Sequence, residues 1–432
     1  MGWQMTGRFG ISPQLLLGLS LGVLLSASCR QIWAVVASRL SRDDDSTYAQ
    51  GRIQMKGDDE AVKSEIRVGV EGLIGNTPLM KVKSLSDATG CEILAKVEMM
   101  NPGGSAKDRI ALAIVEQAEA DGLLRPNSGD VVYEGTSGST GISLAMICRA
   151  KGYRAHICLP DDTSTEKVDL LEKLGAEVEK VPPASIVDRR QYVNQARARA
   201  TDRNNDDSVE GRGLFADQFE NEANWKAHCD HTGPEIYKQT GGNVDVFVTG
   251  AGTGGTISGV SRYLKQKLPK LKVVLADPPG SGLYNKVKYG VMFDIMEREG
   301  TRRRHQVDTL VEGIGINRVT RNFDVGTPLV DDAIRVTDKE SLAMAKFLVE
   351  HDGLFVGSST AVNCVAAAKY ALKIGPGHTI VTIICDSGTR HLSKFWKAVG
   401  PVGGELPAVP LEDILNLAST ASTSRANTPV NG

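Results

Sequence analysis

The sequence predicts an α/β protein in which helices flank layers of mostly parallel strands. Strand-like and helix-like segments alternate from residue 68 onward. Three strand-like segments, at residues 130–133, 244–248 and 379–384, each run into a loop of small residues and then a helix-like segment. Glycine is abundant, at 46 residues, although the apolar fraction is ordinary at 41%. Tight ligand-binding loops explain this composition better than disorder does.

Bulk properties exclude several classes of function. A chain of 432 residues is long enough for two or three domains. The net charge is only −2, so no basic surface is expected and nucleic acid is not an expected partner. The seven cysteines are an odd number, and none forms Cys-x-x-Cys. A disulfide framework is therefore not expected, and a reducing compartment is favoured.

The amino-terminal segment is unlike the rest of the chain. Residues 1–42 contain no acidic residue and include an apolar run at residues 11–27, which is short for a membrane-spanning helix. More positive charge follows this run than precedes it, which predicts that the following domain faces the cytosol. We expect residues 1–42 to be an anchor or targeting segment and residues 43–66 a polar linker. A cleaved targeting peptide and a core helix are the alternatives.

Three later stretches depart from the α/β pattern. Residues 180–213 predict a helix followed by a long surface loop, and residues 283–309 predict a charged, solvated excursion. Residues 401–432 are rich in Pro, Ser and Thr, which predicts a mostly mobile tail with one short helix near residues 411–417.

A Gly-rich turn at residues 101–109 delivers a single lysine to the start of a helix-like run at residues 110–118. Ser105 is placed to cap this helix, which puts Lys107 in the first turn. A cation is unfavourable there, so Lys107 is either a solvated surface residue or a neutral amine. A lysine that condenses with an aldehyde must first be neutral. From this turn alone, a solvated surface lysine is the favoured interpretation.

The three small-residue loops are suited to bind anions. They comprise residues 134–141, 252–256 and 386–389. Such loops present backbone N–H groups and the positive end of a helix dipole, and their glycines let an anion approach the backbone closely. An ordinary Gly-rich turn is the alternative for each loop taken alone.

Together these segments resemble the cysteine synthase and cystathionine β-synthase family of pyridoxal-phosphate (PLP) enzymes. That family has fold type II, like the tryptophan synthase β chain. Eight segments match in the family's order, at residues 75–79, 101–109, 134–141, 218–219, 232–236, 252–256, 312–315 and 386–389. The resemblance implies a two-domain catalytic core at residues 67–400, with a smaller subdomain at about residues 107–225 and a larger one from the remainder.

The resemblance also implies roles for individual residues. Lys107 would bind PLP covalently and act as the base at the substrate's Cα atom. Ser387 would meet the pyridine nitrogen, and a serine there leaves that nitrogen neutral, which suits loss of a β-leaving group. The implied phosphate contacts are Gly252, Thr253, Gly254, Gly255 and Thr256. The implied substrate contacts are Thr136, Ser137, Gly138 and Thr140, with Gln218 as a second carboxylate contact and Gly313 in a loop that closes over the substrate.

Three sites need separate interpretation. Ser139 stands where the family has an asparagine bonded to the ring hydroxyl; serine is shorter but is still both a donor and an acceptor. Gln218 taken alone could be a surface residue near a helix start. Residues 228–231, His-Cys-Asp-His, look like a metal cluster, but the family's matching helix carries none, and we expect no metal.

The implied activity is PLP-dependent β-replacement, which forms L-cysteine from O-acetyl-L-serine and sulfide. A cystathionine β-synthase-like or serine-dehydratase-like enzyme and a weakly active PLP-binding scaffold are the alternatives. The amino-terminal segment resembles that of the membrane-associated fungal branch, placed at the mitochondrial outer membrane with the catalytic domain facing the cytosol; import after cleavage is the alternative. The resemblance further implies a homodimer.

Overall fold

Strand pairing divides the protein into two sheets. A computed structural model of the chain describes residues 66–294, 309–402 and 410–416. The strands are β1 (Leu79–Lys81), β2 (Glu92–Val97), β3 (Val131–Gly135), β4 (Arg154–Pro160), β5 (Glu177–Val181), β6 (Gly213–Phe215), β7 (Val246–Gly250), β8 (Lys272–Asp277), β9 (Asp332–Arg335) and β10 (Thr379–Ile384). One sheet has the order β1-β2-β10-β7-β8-β9 and the other the order β5-β4-β3-β6. Every neighbouring pair is parallel except β1 with β2.

Helices follow most strands, as parallel pairing requires. They are α1 (Lys83–Thr89), α2 (Lys107–Ala120), α3 (Ser139–Ala150), α4 (Thr165–Lys173), α5 (Tyr192–Asn204), α6 (Ala223–Ala227), α7 (Gly233–Gln239), α8 (Gly255–Lys267), α9 (Leu283–Tyr289), α10 (Arg321–Asp324), α11 (Asp338–Asp352), α12 (Ser358–Ile374) and α13 (Lys397–Val399). Short 3₁₀ turns lie at Glu71–Leu73, Glu98–Met100, Thr327–Leu329 and Gly388–Arg390, and π-helical turns at His228–Thr232 and Leu392–Trp396. The predicted α/β class with parallel sheets is confirmed.

Both faces of the six-stranded sheet are buried. Along β10, Ile380 and Ile384 join a core cluster that includes α11 and α12, while Val381 and Ile383 join a second cluster that includes α8. Successive strand side chains point to opposite faces, so a strand covered on both sides needs a continuous apolar run. Each such Val or Ile contributes about 1.5–3 kcal/mol when buried.

The four-stranded sheet is also covered on two sides. Apolar residues of α2, α3 and α4 pack with β3 and β4 in one cluster. Ala196 and Ala200 of α5 pack with Val131, Tyr133 and Cys158 in another. The predicted helix within residues 180–213 is therefore α5, and the chain after it returns as β6 beside β3.

The structure corrects two local predictions. Ser105 does not cap α2; Ala106 is the N-cap residue, and Ser105 Oγ instead accepts a hydrogen bond from the Lys107 N–H at 3.2 Å. The loop after β10 is followed by the 3₁₀ turn at Gly388–Arg390 and a π-helical turn, where the sequence predicted an ordinary helix. The first-turn position of Lys107 is confirmed.

The ends of the chain are described only in part. Among the described residues, no helix is long and apolar enough to cross a membrane. The apolar run at residues 11–27 lies outside those residues, as do residues 295–308 of the charged excursion. Residues 411–416 are helical, and Leu411 and Ile414 are buried in the core cluster of α11 and α12.

Candidate active site

A pocket of about 430 Å³ lies among the loops that follow β3, β7 and β10. Its volume is in the range of small-molecule sites. Its lining includes Lys107, the small-residue loop at residues 135–140, Gln218, and Gly252 with Thr253. Residues 309 and 311–316, which include Gly313, complete one wall. Because loops at the carboxyl ends of parallel strands meet at one edge of a sheet, segments far apart in sequence come together here.

A buried ion-pair network fixes the first turn of α2. Arg109 Nε lies 2.7 Å from Glu98 Oε2, and Arg109 Nη1 lies 2.7 Å from Glu235 Oε1. Burial opposes ionisation of Glu98, but the Arg109 charge outweighs it and holds the pKa of Glu98 below its ordinary value. The network therefore anchors Lys107, which lies two residues before Arg109.

Asp108 holds the turn before Lys107 in place. Its carboxylate accepts the Gly103 N–H at 2.6 Å and the Ser143 hydroxyl at 2.5 Å. Burial raises the pKa of Asp108, although both hydrogen bonds favour the carboxylate. Asp108 thereby joins the Lys107 turn to α3, so the positions of Lys107 and the start of α3 are fixed relative to each other.

The loop before α3 presents a helix amino terminus to the pocket. Gly138 is the N-cap residue in an extended conformation, and a Cβ atom there would meet nothing within 4 Å. The first N–H groups of a helix lack partners within the helix, so this end is suited to bind a carboxylate. Thr136, Ser137, Gly138, Ser139 and Thr140 all line the pocket.

Gln218 is oriented by two neighbours. Its Oε1 accepts the Thr140 hydroxyl at 2.5 Å, and its Nε2 donates to Glu134 Oε1 at 3.2 Å. The second amide hydrogen of Gln218 has no hydrogen-bond partner among the described residues, and Gln218 lines the pocket. Glu134 is fully buried, and burial, offset only in part by hydrogen bonds from Gln218, raises the pKa of Glu134 to about 8.

The loop between β7 and α8 is tightly packed. Gly254 has φ +86°, and a Cβ atom there would lie 2.5 Å from Phe323 Cα, so glycine is required. Gly252 and Thr253 line the pocket, whereas Gly254, Gly255 and Thr256 lie outside its lining. The loop is followed directly by α8, whose amino terminus is free to bind an anion.

Ser387 lies in the loop after β10, and Ser139 lies at the start of α3, where Arg390 contacts it. Ser387 lies outside the pocket lining, two residues after the lining residue Cys385. Its Oγ accepts hydrogen bonds from the N–H and hydroxyl of Thr389, at 3.3 and 3.2 Å, so its own hydrogen is free to donate. Arg390 lines the pocket and donates to Ser139 Oγ at 3.4 Å and to the Gly103 carbonyl. Sequence reasoning missed Arg390, because no motif marks it.

An ionic cluster surrounds Glu312, next to Gly313. Lys167 Nζ lies 2.7 Å and His391 Nδ1 lies 3.4 Å from Glu312 Oε2. Burial opposes ionisation of Glu312, but His391 and Lys167 outweigh it and hold the pKa of Glu312 at about 2. For His391 burial is outweighed by Asp386 and Glu312, which raise its pKa to about 9. Gly313 has φ +84° and nothing within 4 Å of an added Cβ atom.

The segment that looked like a metal cluster has another role. His228 is fully buried, and its ring nitrogens contact the hydroxyls of Thr232 and Thr256. Elsewhere, His156, Cys158 and Glu179 have possible ligand atoms within 4.8 Å of one another. Arg199 donates to both oxygens of Glu179, at 2.7 and 3.0 Å, so that cluster is an ion-paired one.

The six cysteines of the described residues are all free thiols.

Comparisons with known proteins agree on one family. Residues 70–386 match the family described as "Pyridoxal-phosphate dependent enzyme". The chain is 64% identical over 358 residues to cysteine synthase 2 of Emericella nidulans, covering 81% of this chain and 83% of that protein. It is 58% identical to a Saccharomyces cerevisiae protein named "Putative mitochondrial cysteine synthase", covering 81% and 88%. The solved O-acetylserine-dependent cystathionine beta-synthase of Helicobacter pylori superposes with a TM-score of 0.64 at 29% identity, covering 76% and 98%.

Proposed function

The chain belongs to the family of pyridoxal-phosphate-dependent enzymes, and on that basis we propose that it forms L-cysteine and acetate from O-acetyl-L-serine and sulfide. Its relatives at 56–64% identity include three fungal proteins named cysteine synthase 2. The cofactor is pyridoxal 5′-phosphate. The observation that supports the reaction most is that one pocket is lined by Lys107 and by residues of the anion-binding loops after β3 and β7.

The residues in and beside the pocket fit this cofactor. An aldehyde needs an amine, and Lys107 lies in the wall of the pocket. A phosphate needs N–H and hydroxyl donors, and Gly252–Thr256 supplies them at the amino terminus of the 13-residue helix α8. An unprotonated ring nitrogen needs a donor, and the hydroxyl hydrogen of Ser387 is free. Ser139 and Arg390 offer polar groups beside the Lys107 turn.

When bound, the cofactor supplies an aldehyde that captures the substrate's amino group and an electron-withdrawing ring that weakens the bond from Cα to its proton. Lys107 Nζ takes that proton, and acetate departs from Cβ before sulfide takes its place. The substrate carboxylate is bound by the loop residues Thr136, Ser137, Gly138 and Thr140 together with Gln218. This orients the Cα proton toward Lys107.

Titration with substrate tests the proposal. The purified chain with its cofactor should change its visible absorption on addition of O-acetyl-L-serine and should release cysteine once sulfide is added. Lys107→Ala is the matched control and should do neither. A cofactor-loaded wild type that yields no cysteine from this pair of substrates would refute the proposed reaction.

Location and assembly extend the proposal. A mitochondrial location draws support from the name of the Saccharomyces cerevisiae relative. We further propose that residues 11–27 anchor the chain in the outer membrane with the catalytic domain toward the cytosol, and that the enzyme is a homodimer. The support for the anchor is the sequence alone, namely the apolar run and the positive charge after it.

A further inference from the structure

Both threonine hydroxyls of the loop at residues 252–256 are held from behind by buried side chains. Asn224 Nδ2 donates to Thr253 Oγ1 at 2.9 Å, and His228 Nε2 lies 3.2 Å from Thr256 Oγ1. Asn224 and His228 are both fully buried and lie four residues apart, one on α6 and one on the π-helical turn after it. The two contacts therefore come from a single helical face that backs the loop.

The direction of the first hydrogen bond follows from the partners of Asn224. Asn224 Nδ2 also donates to the Gln218 carbonyl oxygen at 2.7 Å, and a carbonyl can only accept. The nitrogen, and not the oxygen, of the amide must therefore face Thr253. Since Thr253 Oγ1 accepts this bond, its own hydrogen is left to donate elsewhere. Thr253 lies in the wall of the pocket.

The direction of the hydrogen bond between His228 and Thr256 follows from the contact of His228 with Thr232. Its hydroxyl is fully buried and lies 2.9 Å from His228 Nδ1, and the described residues give it no other hydrogen bond. A buried hydroxyl hydrogen needs an acceptor, so Nδ1 accepts it. Burial lowers the pKa of His228 to about 3, so the ring is neutral and its one hydrogen is on Nε2. Nε2 then donates to Thr256 Oγ1.

Thr256 is left in the same state as Thr253. Its oxygen accepts from a buried donor, and its hydrogen is free. Thr256 is partly exposed, although Gly254, Gly255 and Ile257 around it are buried. Since His228 is fully buried, we infer that the exposed part of Thr256 lies on the side away from it. Two hydroxyls that are both obliged to donate outward suit an acceptor-only ligand, which is the character of a phosphate dianion.

We propose that Asn224 and His228 are positioning residues that turn the hydroxyls of Thr253 and Thr256 toward the phosphate of the cofactor. The inference rests on the proposed function, since it assumes that pyridoxal phosphate occupies the pocket. The inference goes beyond the proposed function, because it assigns a role in phosphate selectivity to two residues that do not line the pocket. In this account His228 acts through one tautomer, which Thr232 selects.

A purely structural role predicts different behaviour. His228 also fills the contact between this helical face and α8, because a Cβ atom at Gly259 would lie 2.7 Å from His228 Cβ. Loss of that packing would weaken the whole fold and all cofactor binding alike. Loss of the outward orientation of the threonine hydroxyl hydrogen would weaken binding only of ligands that carry a phosphate. Pyridoxal, which has the same aldehyde and ring but no phosphate, separates the two cases.

The test measures the affinity of full-length protein, freed of its cofactor, for pyridoxal phosphate and for pyridoxal. His228→Leu, Asn224→Leu and Thr256→Val should each lower the affinity for pyridoxal phosphate about tenfold and leave that for pyridoxal nearly unchanged. His228→Gln should keep the wild-type preference, because its amide nitrogen can lie near the position of Nε2 and donate. Thermal unfolding without ligand should be recorded for each variant.

Each outcome decides between named accounts. If His228→Leu loses affinity equally for pyridoxal phosphate and for pyridoxal, the inference is overturned and the role of His228 is packing. Loss of the phosphate preference in Thr256→Val but not in His228→Leu would also overturn it, while the phosphate site itself would stand. A wild type with no preference for pyridoxal phosphate would refute the proposed function. If the leucine variants fail to fold, Thr232→Val takes their place. A reduced preference of Thr232→Val for pyridoxal phosphate over pyridoxal supports the assigned tautomer of His228. An unchanged preference contradicts it.

Discussion

At the scale of the residue, Ser139 lines the pocket at the position where the resemblance implies an asparagine. Its Oγ accepts from Arg390, whose second nitrogen binds the Gly103 carbonyl in the turn before Lys107. The Arg390 side chain therefore occupies space next to the short serine. This suggests that Arg390 supplies part of the polarity that an asparagine would otherwise provide.

Ser139→Asn should retain or raise activity with O-acetyl-L-serine. The asparagine amide is longer than the serine hydroxyl and offers a donor and an acceptor, while Arg390 keeps its bond to Gly103. Ser139→Ala is the control and should lose about three- to tenfold in kcat/KM, as for one hydrogen bond. A steep loss in Ser139→Asn would mean that Ser139 is adapted to a different substrate.

Glu134 should make the stability of the protein pH-dependent. Its pKa is about 8 in the fold against an ordinary 4.5, so between these values the folded carboxyl keeps its proton and the unfolded one does not. The free energy of unfolding should therefore fall as pH rises, by about 1.4 kcal/mol per unit at most. Glu134→Gln, which cannot ionise, should remove this slope. Denaturant unfolding of both proteins at pH 5, 6, 7 and 8 measures it, and parallel pH profiles would disprove the assignment.

Several residues that sequence motifs mark lie together in the structure. Lys107, the residues at positions 136–140 and Gln218 line one pocket, as the spacing and the resemblance led us to expect. Arg390, Asn224 and Glu134 act through contacts between residues dozens to hundreds of positions apart, which a single sequence does not display. His228 was noticed only as part of a segment that looks like a metal cluster, because its hydroxyl partner Thr256 is distant in sequence.

At the scale of the element, one ion pair joins parts of the chain that carry different sheets. Lys167 lies on α4, which packs with the four-stranded sheet, and Glu312 lies between β8 and β9 of the six-stranded sheet. Glu312 directly precedes Gly313, which has φ +84° and nothing within 4 Å of an added Cβ atom. The pair therefore spans the pocket beside the loop expected to close over the substrate.

Lys167→Gln should weaken this closure. The pair is partly exposed, so its contribution is modest, and we expect KM for O-acetyl-L-serine to rise about two- to fivefold with little change in kcat. Lys394→Gln is the matched control, because Lys394 is more exposed and lies 3.9 Å from Glu312. Steady-state kinetics at low and high salt measure the effect. Equal behaviour of the two variants would show that the Lys167 pair has no special role.

Element boundaries were predicted less well than element types. The strand at residues 379–384 was predicted with its observed limits. Strands β3 and β7 instead extend to Gly135 and Gly250, because parallel pairing with β4 and β8 continues through the glycines. Sequence patterns mark glycine as a loop residue, but hydrogen bonds from a neighbouring strand override that preference.

At the scale of the whole molecule, the parallel order of both sheets explains why distant motifs form one site. Loops after β3, β7 and β10 lie at carboxyl ends of strands, and each was marked in the sequence as an anion-binding loop. The division of the strands into two sheets was harder to foresee, because β10 pairs with β2 across nearly three hundred residues.

Deleting residues 1–42 should release a soluble, cofactor-loaded enzyme. The compact unit of the structure begins at Val68 and the family match at residue 70, so the deletion leaves both intact. In the full-length protein, protease added outside intact mitochondria should digest the catalytic domain. A domain that stays protected until the outer membrane is opened would instead make the segment an import signal.

We expect Lys107 to hold the cofactor in the pocket between the anion-binding loops. Borohydride reduction of the loaded enzyme followed by peptide mass spectrometry tests it most directly, because reduction fixes the cofactor to the amine that carries it. The account predicts a pyridoxyl group on Lys107 and its absence from Lys107→Ala. A pyridoxyl group on another lysine of the wild type would contradict the assignment of the site.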